Sequence, residues 1–186
     1  MAKTLEEMSL EELWRLFPVE LAAPDAKYAA QFAKERESLV AILPPCSRIS
    51  HIGSTAIKGI AAKPITDILV EIKPEYSLTA TGEALEKGGY ILMSSGERRA
   101  SFNKGYTPEG YADEVFHLHL RYYGDNDELY FRDYLNENAA AAEEYAALKT
   151  ELAKRYRYDR DGYTAAKGEF VKKHTEAAKK KYGRRY

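Results

Sequence analysis

The sequence lacks the features that mark several large classes of protein. A single cysteine, Cys46, excludes an intrachain disulfide framework and a cysteine-rich zinc site. No apolar run approaches the roughly 20 residues that are needed to cross a bilayer. Lysine and arginine (28) nearly balance aspartate and glutamate (29), so the net charge is −1 and no global signature of a nucleic-acid binder is present. We therefore expect neither a membrane nor a nucleic acid as a partner, and the oligomeric state is unspecified.

What is present indicates a globular protein. Apolar residues make up 45% and aromatic residues 12% of 186 residues, enough for one domain with a substantial core. The segment MAKTLEEMSLEELWRLF has no basic flank followed by an apolar core, so no signal peptide is visible and we expect a cytoplasmic location.

Periodicity and turn residues predict an α+β fold. We expect a single domain with helices in 1–45, an α/β core in 46–123 and a helical part in 124–186. Ser9 with Glu12 forms a capping-box pattern for a short helix ending at Pro18. The predicted strands are 48–52, 65–72, 90–93, 100–104 and 115–122, and the remaining predicted helices are 25–43, 55–60, 79–87, 128–136, 139–156 and 164–182.

The segment SHIGSTAIKGIAAKPITDILVE, residues 50–71, carries the clearest chemical signal. Gly53 and Ser54 stand between a strand and a helix, where free N–H groups and a small residue can accommodate a phosphate. Asp67 lies in an apolar strand, where a carboxylate is costly unless it is paired or functional. The alternatives are an ordinary capped turn at Gly53-Ser54 and an Asp67 that pairs with a nearby Arg or Lys.

A metal held by Asp67 and Glu71 would need additional ligands. The two residues share one strand face, but their Cα atoms would be roughly 13 Å apart, too far to share one Mg²⁺ ion directly. The intermediate position on that face is Leu69. Other ligands would have to come from another strand or from substrate phosphates; otherwise Glu71 is a solvated strand end.

The strand FHLHLR places His117, His119 and Arg121 on one face. These side chains could ligate a metal, act as general acid or base, or bind phosphate. The alternative is hydrogen-bonded histidines on a half-exposed face. Several basic side chains could also neutralise phosphate oxygens, or be ordinary surface charges: Lys63, Arg98, Arg99, Lys104, Arg132 and Lys167.

The chain resembles the GrpB family of nucleotidyltransferase-like proteins. The resemblance is carried by EELWRLFP, RISHIGSTAIKGIAAKPITDILVEI, SFNKGYTPEG, VFHLHLRYYGDNDELYFRDYL and DRDGYTAAKGEFVKKHTEAAKKKYG. It implies a bacterial cytoplasmic protein, a mixed sheet flanked by helices and a Gly-Ser turn that binds triphosphate. It also implies acids on two strands that hold Mg²⁺ or Mn²⁺; Asp67 matches the first acid, whereas Leu69 occupies the place of the second. A similar domain occurs fused to dephospho-CoA kinase.

Three hypotheses follow. The first is an enzyme that transfers a nucleotidyl group from a nucleoside triphosphate with Mg²⁺ or Mn²⁺. In it Gly53, Ser54, Lys63, Lys104 and Arg121 would bind the nucleotide or its phosphates. Asp67, His117 and His119 would be catalytic, with Asp67 and Glu71 as metal ligands. The second is a catalytically degenerate accessory domain that binds a nucleotide, a coenzyme or another phosphorylated small molecule. The third is a metal-binding protein centred on His117 and His119.

Overall fold

The computed structural model describes residues 3–186. Its helices are α1 (Leu10–Leu16), α2 (Lys27–Ile42), α3 (Leu78–Lys87), α4 (Asp127–Glu137), α5 (Ala139–Arg155), α6 (Arg160–Ala166) and α7 (Gly168–Tyr182). Its strands are β1 (Arg48–Ile52), β2 (Thr66–Ile72), β3 (Ile91–Ser95), β4 (Arg99–Thr107) and β5 (Gly110–Tyr122). Short 3₁₀ turns lie at Leu5–Glu7 and Ser54–Ala56. No helix among the described residues is long and apolar enough to cross a membrane.

The five strands form one mixed sheet in the order β1-β2-β5-β4-β3. β2 and β5 are parallel, and the other neighbours are antiparallel. The register places Asp67 beside His117, Leu69 beside His119 and Glu71 beside Arg121. The two candidate strands of the sequence are therefore central neighbours, and their polar side chains share a face. The mixed sheet with flanking helices confirms the predicted α+β class.

One face of the sheet is apolar. Its β2 and β5 residues alternate with the polar ones, and they pack against α2 and α3 in a buried core that includes Leu39, Ile68, Val70, Leu85 and Leu118. Because β2 contributes apolar residues to both faces, it is buried on both sides, as predicted for a central strand.

The other face, which we call the polar face, carries Asp67 and His117. Its apolar part is a cluster of Ile52, Leu69 and Leu129, the last from α4. Leu69 is fully buried there. The position expected for a second metal-binding acid thus belongs to the contact between the sheet and α4.

Element boundaries follow local signals where such signals exist. Ser9 accepts a hydrogen bond from the backbone N–H of Glu12 at 3.2 Å, and Glu12 completes the capping box. The predicted helix over 55–60 is wrong, because only the 3₁₀ turn Ser54–Ala56 forms. The predicted helix over 164–182 is two helices. Its first part begins earlier because Asp159 accepts from the Gly162 N–H at 2.8 Å and caps α6.

Candidate functional site

The Gly53-Ser54 turn lies directly against the Asp67 carboxylate. Gly53 has φ of 69°, and a Cβ added there would overlap the Asp67 side chain. Only glycine can therefore adopt this conformation at this distance without strain. Because just three residues of 3₁₀ turn follow, the turn does not have the helix dipole that the sequence predicted behind it.

Asp67 is ionised more readily than an ordinary aspartate. Its Oδ1 lies 3.3 Å from Nδ1 of His117, and its side chain is 25% exposed. Burial pushes the pKa of Asp67 upward. In the acid range where Asp67 takes up its proton, the His117 hydrogen bond and the charges of His117, His119 and Lys63 outweigh burial, so the pKa falls below its usual value. Asp67 is thus a carboxylate that the surrounding cations stabilise.

His117 is bonded through both ring nitrogens. Besides the Asp67 contact, its Nε2 lies 2.6 Å from the Tyr106 hydroxyl, and the two rings stack with centroids 5.9 Å apart. Arg160 of α6 in turn donates to the Tyr106 oxygen at 2.8 Å. A hydrogen-bonded chain therefore runs from Asp67 on the sheet through His117 and Tyr106 to Arg160 of α6.

His119 and His51 are neutral around pH 7. Burial, the largest influence on each, lowers the pKa of both rings to about 4. Nδ1 of His119 is buried and has no hydrogen-bond partner within residues 3–186. Nε2 of His51 lies 3.0 Å from the Thr55 hydroxyl. Neither histidine contributes a positive charge to phosphate binding at neutral pH.

A group of basic residues, which we call the cationic wall, lies near Asp67: Lys63, Lys149, Arg160 and Lys167. The charges of Lys63 and Lys167 interact with Asp67, Arg160 interacts with Lys63, and Lys149 interacts with Lys167. The Lys63 and Lys167 ammonium groups lie 5.9 and 4.2 Å from the centroid of the buried Tyr163 ring. Lys149 donates to the Ala61 carbonyl and lies 4.9 Å from the Tyr145 ring. Lys63 and Lys167 therefore share one aromatic neighbour, while Lys149 lies against a second.

The charged forms of the lysines in the cationic wall are destabilised, as their pKa values show. Burial, followed by the charge of Arg160, lowers the pKa of Lys63 to about 7. Burial, followed by Lys167, lowers the pKa of Lys149 to about 7. The pKa of Lys167 is lowered by burial although Asp67 opposes the shift. Within residues 3–186, neither Lys63 nor Lys167 forms an ion pair with a carboxylate.

Ser54 joins the turn to the cationic wall. Its hydroxyl is a neighbour of Tyr145 of α5 and lowers the pKa of that residue, but burial, the larger influence, raises it to about 12. The structure thus brings together Gly53, Ser54, Lys63, Asp67, His117 and His119 from the predicted site. Sequence reasoning missed Tyr106, Lys149 and Arg160. It named Lys167 only as one of several scattered basic residues.

Three predicted site residues lie elsewhere. Lys104 is on the opposite, apolar face, where it pairs with Glu35 at 2.7 Å and lies 5.1 Å from the Tyr90 ring centroid. Lys104 pairs with Phe116 of β5, so the regular alternation of β4 places its side chain behind the sheet, away from Asp67. Arg121 lies at the far end of β5 with Asp125 and Glu128, each at 3.7 Å.

Glu71 is also at that far end, and it is fully buried rather than a solvated strand end. Its Oε1 accepts from Nδ2 of Asn126 at 2.9 Å and from the Gly124 N–H at 3.1 Å. The turn between β5 and α4 therefore uses this carboxylate as its anchor. The structure does not bring Glu71 together with Asp67.

The donor set does not fit a pair of catalytic metal ions. Among the described residues, no group of three or more His, Cys, Asp or Glu side chains is arranged to hold a metal. One oxygen of Asp67 is taken by His117, and Leu69 is enclosed by apolar neighbours. A divalent ion would have Asp67 as its protein ligand and would depend on ligand phosphates for the rest.

The sequence model of the family described as GrpB protein matches residues 18–177. The chain belongs to the GrpB family. It is 33% identical over 178 residues to the UPF0157 protein YqkA of Bacillus subtilis, which covers 92% of this chain and 51% of YqkA. The chain thus spans about half the length of that GrpB relative.

Solved structures agree with this GrpB assignment. Conserved protein GrpB from Enterococcus faecalis superposes with a TM-score of 0.75 at 30% identity, over 88% of this chain and 99% of that one. The Cid1 poly(U) polymerase superposes with a TM-score of 0.53 at 13% identity, over 84% of this chain and 51% of Cid1. The second similarity shows a nucleotidyltransferase-like fold and nothing about activity.

Proposed function

We propose that this GrpB chain binds the phosphate-bearing end of a nucleotide or nucleotide-like coenzyme in the cleft between Asp67 and the cationic wall. The observation that carries the proposal is the wall itself. Four basic side chains converge there, and the carboxylate that faces Lys63 and Lys167 is Asp67. A multiply charged anion is the ligand that this charge distribution accommodates best.

The energetic argument rests on the cost of burying cations without partners. Removing an ammonium group from water is unfavourable unless an opposite charge or hydrogen bonds compensate for the loss. Lys63 and Lys149 show this cost as pKa values near 7. Phosphate oxygens in the cleft would favour the charged forms of Lys63 and Lys149. Ligand binding would therefore offset the cost of burying these two ammonium groups.

The fold supports a nucleotide as the source of those phosphates. The Cid1 structure that superposes on this chain was solved with magnesium and 3′-dATP bound. In this chain, Gly53 allows the turn to lie against Asp67, and Ser54 sits between that turn and Tyr145. The same cleft would receive the phosphates, with Lys63 and Lys167 as their counter-charges.

A second candidate is metal-dependent nucleotidyl transfer, favoured by the low pKa of Asp67. A carboxylate kept ionised next to a phosphate site is suited to receive Mg²⁺ or Mn²⁺ that arrives with a triphosphate. Leu69 weighs against the usual arrangement, because its position is buried between Ile52 and Leu129. We therefore rank ligand binding above transfer.

Thermal shift measurements with ATP, GTP, CTP, UTP, CoA and dephospho-CoA test the proposal, each with and without Mg²⁺ or Mn²⁺. A ligand at 100 times its Kd should add about 2.7 kcal/mol to the free energy of unfolding. Lys63→Gln should abolish most of the shift. Lys172→Gln is the matched control, because it also removes one lysine charge but lies on the exposed surface of α7.

The outcomes separate the candidates. A shift that needs no metal, with no product formed, supports a binding module. A shift that requires Mg²⁺, is lost in Asp67→Asn and is accompanied by pyrophosphate release supports transfer. No shift with any of these ligands, or equal shifts in Lys63→Gln and unchanged protein, contradicts the proposed cleft.

A further inference from the structure

The outer strand β3 is exposed along its whole length. Each residue of Ile91–Ser95 is exposed, and the exposed stretch continues through residue 99. β3 is the last strand of the sheet, so it has β4 on one side and no strand on the other. We propose that β3 is a self-association surface, where two copies of this chain pair their β3 strands antiparallel about a twofold axis. This pairing does not depend on the proposed ligand.

The backbone of β3 is open to pairing. An edge strand presents N–H and C=O groups that a further strand can bond, and proteins commonly block such an edge with charged residues or proline within the strand. The sequence of β3, Ile-Leu-Met-Ser-Ser, contains neither. A bulge at Met93, where the register with β4 shifts, limits the length that can pair. We therefore expect a weak, reversible dimer.

The apolar side chains of β3 form an exposed cluster. Ile91, Leu92 and Met93 are consecutive, and they are 48%, 41% and 57% exposed. The other exposed large apolar side chains within residues 3–186 stand apart from one another along the chain, at Leu10, Val40 and Tyr158. Single exposed apolar residues are ordinary on a protein surface, whereas a contiguous group indicates an interaction site.

The directions of these side chains favour a strand as the partner. Leu92 pairs with Phe102, which lies in the core beneath α2 and α3, while Ile91 pairs with Asn103 of the opposite face. The exposed apolar groups therefore point to both faces of the sheet. A docked helix would cover one face only, but an added strand places side chains on both.

Charge at the two ends of β3 favours a second copy of this chain as that strand. Lys87 is the last residue of α3 before β3, Glu97 follows β3 in the turn to β4, and both are exposed. The two are equally distant from Leu92 along the chain. Antiparallel pairing brings the start of one strand to the end of the other, so Lys87 would lie near Glu97 of the partner subunit, and the reverse. The edge is thus complementary to itself, as a twofold interface requires.

The opposite edge of the sheet is covered, so association would close at two copies. Four of the five β1 residues are partly or fully buried. Arg132 of α4 donates to the His51 carbonyl oxygen at 2.8 Å, and the Phe32 ring of α2 stacks on His51 with centroids 5.0 Å apart. Pairing through β3 uses the exposed edge of each copy and leaves the covered β1 edges outermost.

Sedimentation velocity on the full chain over a range of concentrations tests the proposal. We expect a monomer–dimer equilibrium, and Met93→Lys should abolish it by placing a charge in the middle of the strand. Lys87→Glu and Glu97→Lys should each weaken the dimer about tenfold, because each brings like charges together at both ends of the pairing. The double variant Lys87→Glu/Glu97→Lys should recover the affinity of the unchanged protein. Lys172→Glu, an exposed charge reversal on α7, is the control and should have no effect.

Hydrogen exchange identifies the surface. The amides of β3 should exchange more slowly as the concentration rises, and those of β1 should not change. A protein that stays monomeric at every concentration overturns the proposal, and the partner of β3 would then be a strand from another protein. A dimer that persists in Met93→Lys also overturns it, because that dimer uses another surface. So does a double variant that remains as weak as the single reversals.

Discussion

Each end of the β2–β5 pair places an acidic residue beside a basic one, but the surroundings of the two pairs differ. At one end Asp67 lies beside His117, and at the other Glu71 lies beside Arg121. Glu71 is fully buried and bonded by Asn126 and Gly124, and Arg121 has Asp125 and Glu128 nearby. We call these residues the closed end. There, N–H donors serve one oxygen of Glu71 and two carboxylates lie beside Arg121, while Glu71 Oε2, Arg121 Nε and Glu128 Oε2 are buried without a hydrogen-bond partner within residues 3–186.

The Asp67 end, which we call the open end, is not compensated in this way. Asp67 is partly exposed. Nearby, burial and the charges of Arg160 and Lys167 lower the pKa of Lys63, and burial lowers the pKa of Lys167. The role of an acidic residue on a strand therefore depends on the helices that pack over it, and its position in the strand does not determine that role. The excess of cations at the open end is the basis of the proposed anion site.

The largest effect should come from breaking the closed end. Glu71→Ala would leave the Asn126 amide and the Gly124 N–H buried without their acceptor. We expect the free energy of unfolding to fall by about 3 kcal/mol, measured by urea denaturation. Asp67→Asn should change it by less than half as much, because Asp67 is partly exposed. Similar losses in the two variants would contradict the contrast between the ends.

Acid should destabilise the open end through His119. Its pKa is about 4 in the folded protein against 6.5 for an ordinary histidine, so the unfolded chain binds more protons between these values. The stability is therefore complete above pH 6.5 and is lost as the pH falls toward 4. Between pH 6.5 and 4.5, we expect the free energy of unfolding to fall by about 2 kcal/mol less in His119→Gln than in the unchanged protein. Urea titrations at several pH values measure it, and parallel curves would refute it.

Gly53 and Gly59 form a matched pair at the edge of the open end. Both have positive φ, 69° and 75°, but an added Cβ would overlap Asp67 at Gly53 and meet nothing within 4 Å at Gly59. We expect Gly59→Ala to cost about 1 kcal/mol from backbone strain, and Gly53→Ala to cost about 2 kcal/mol. Equal losses of stability for the two variants in thermal unfolding would contradict the close contact between Gly53 and Asp67.

The smallest effect concerns the pH dependence of anion binding. Lys63 and Lys149, each with a pKa of about 7, are charged below pH 7 and neutral above it. Sulfate keeps its charge over this range, so its affinity should fall about fivefold from pH 6 to pH 8. Calorimetry with sulfate measures the change, and Lys63→Gln should flatten it. An affinity that rises with pH would exclude these lysines as the anion's partners.

The strands were predictable because their signals are local. Alternation predicted that Asp67, Leu69 and Glu71 share one face of β2, and that His117, His119 and Arg121 share one face of β5, as observed. The capping box at Ser9 was equally direct. The prediction failed at 55–60, where glycine and the contact with Asp67 leave room for only a 3₁₀ turn.

The other half of the site had no local signal. Tyr106 is one of fifteen tyrosines, and the alternation of β4 assigns it to the wrong face until the bulge between Lys104 and Tyr106 is seen. Lys149 and Arg160 lie on helices among many other charged residues, so nothing in their spacing separates them from surface charges. Only Gly105, unusual inside a strand, could have indicated a bulge there.

The sequence by itself determined the central strands, the Gly53 turn and the position of Asp67, because these follow from side-chain alternation and from backbone conformations that few residues adopt. The tertiary structure alone decided which charges meet. Packing of the C-terminal helices brought Lys167 to Asp67, Arg160 to Lys63 and Lys149 to Lys167, while α4 enclosed Leu69 and Glu71. Electrostatic interaction depends on distance and burial in space, and neither is encoded in separation along the chain.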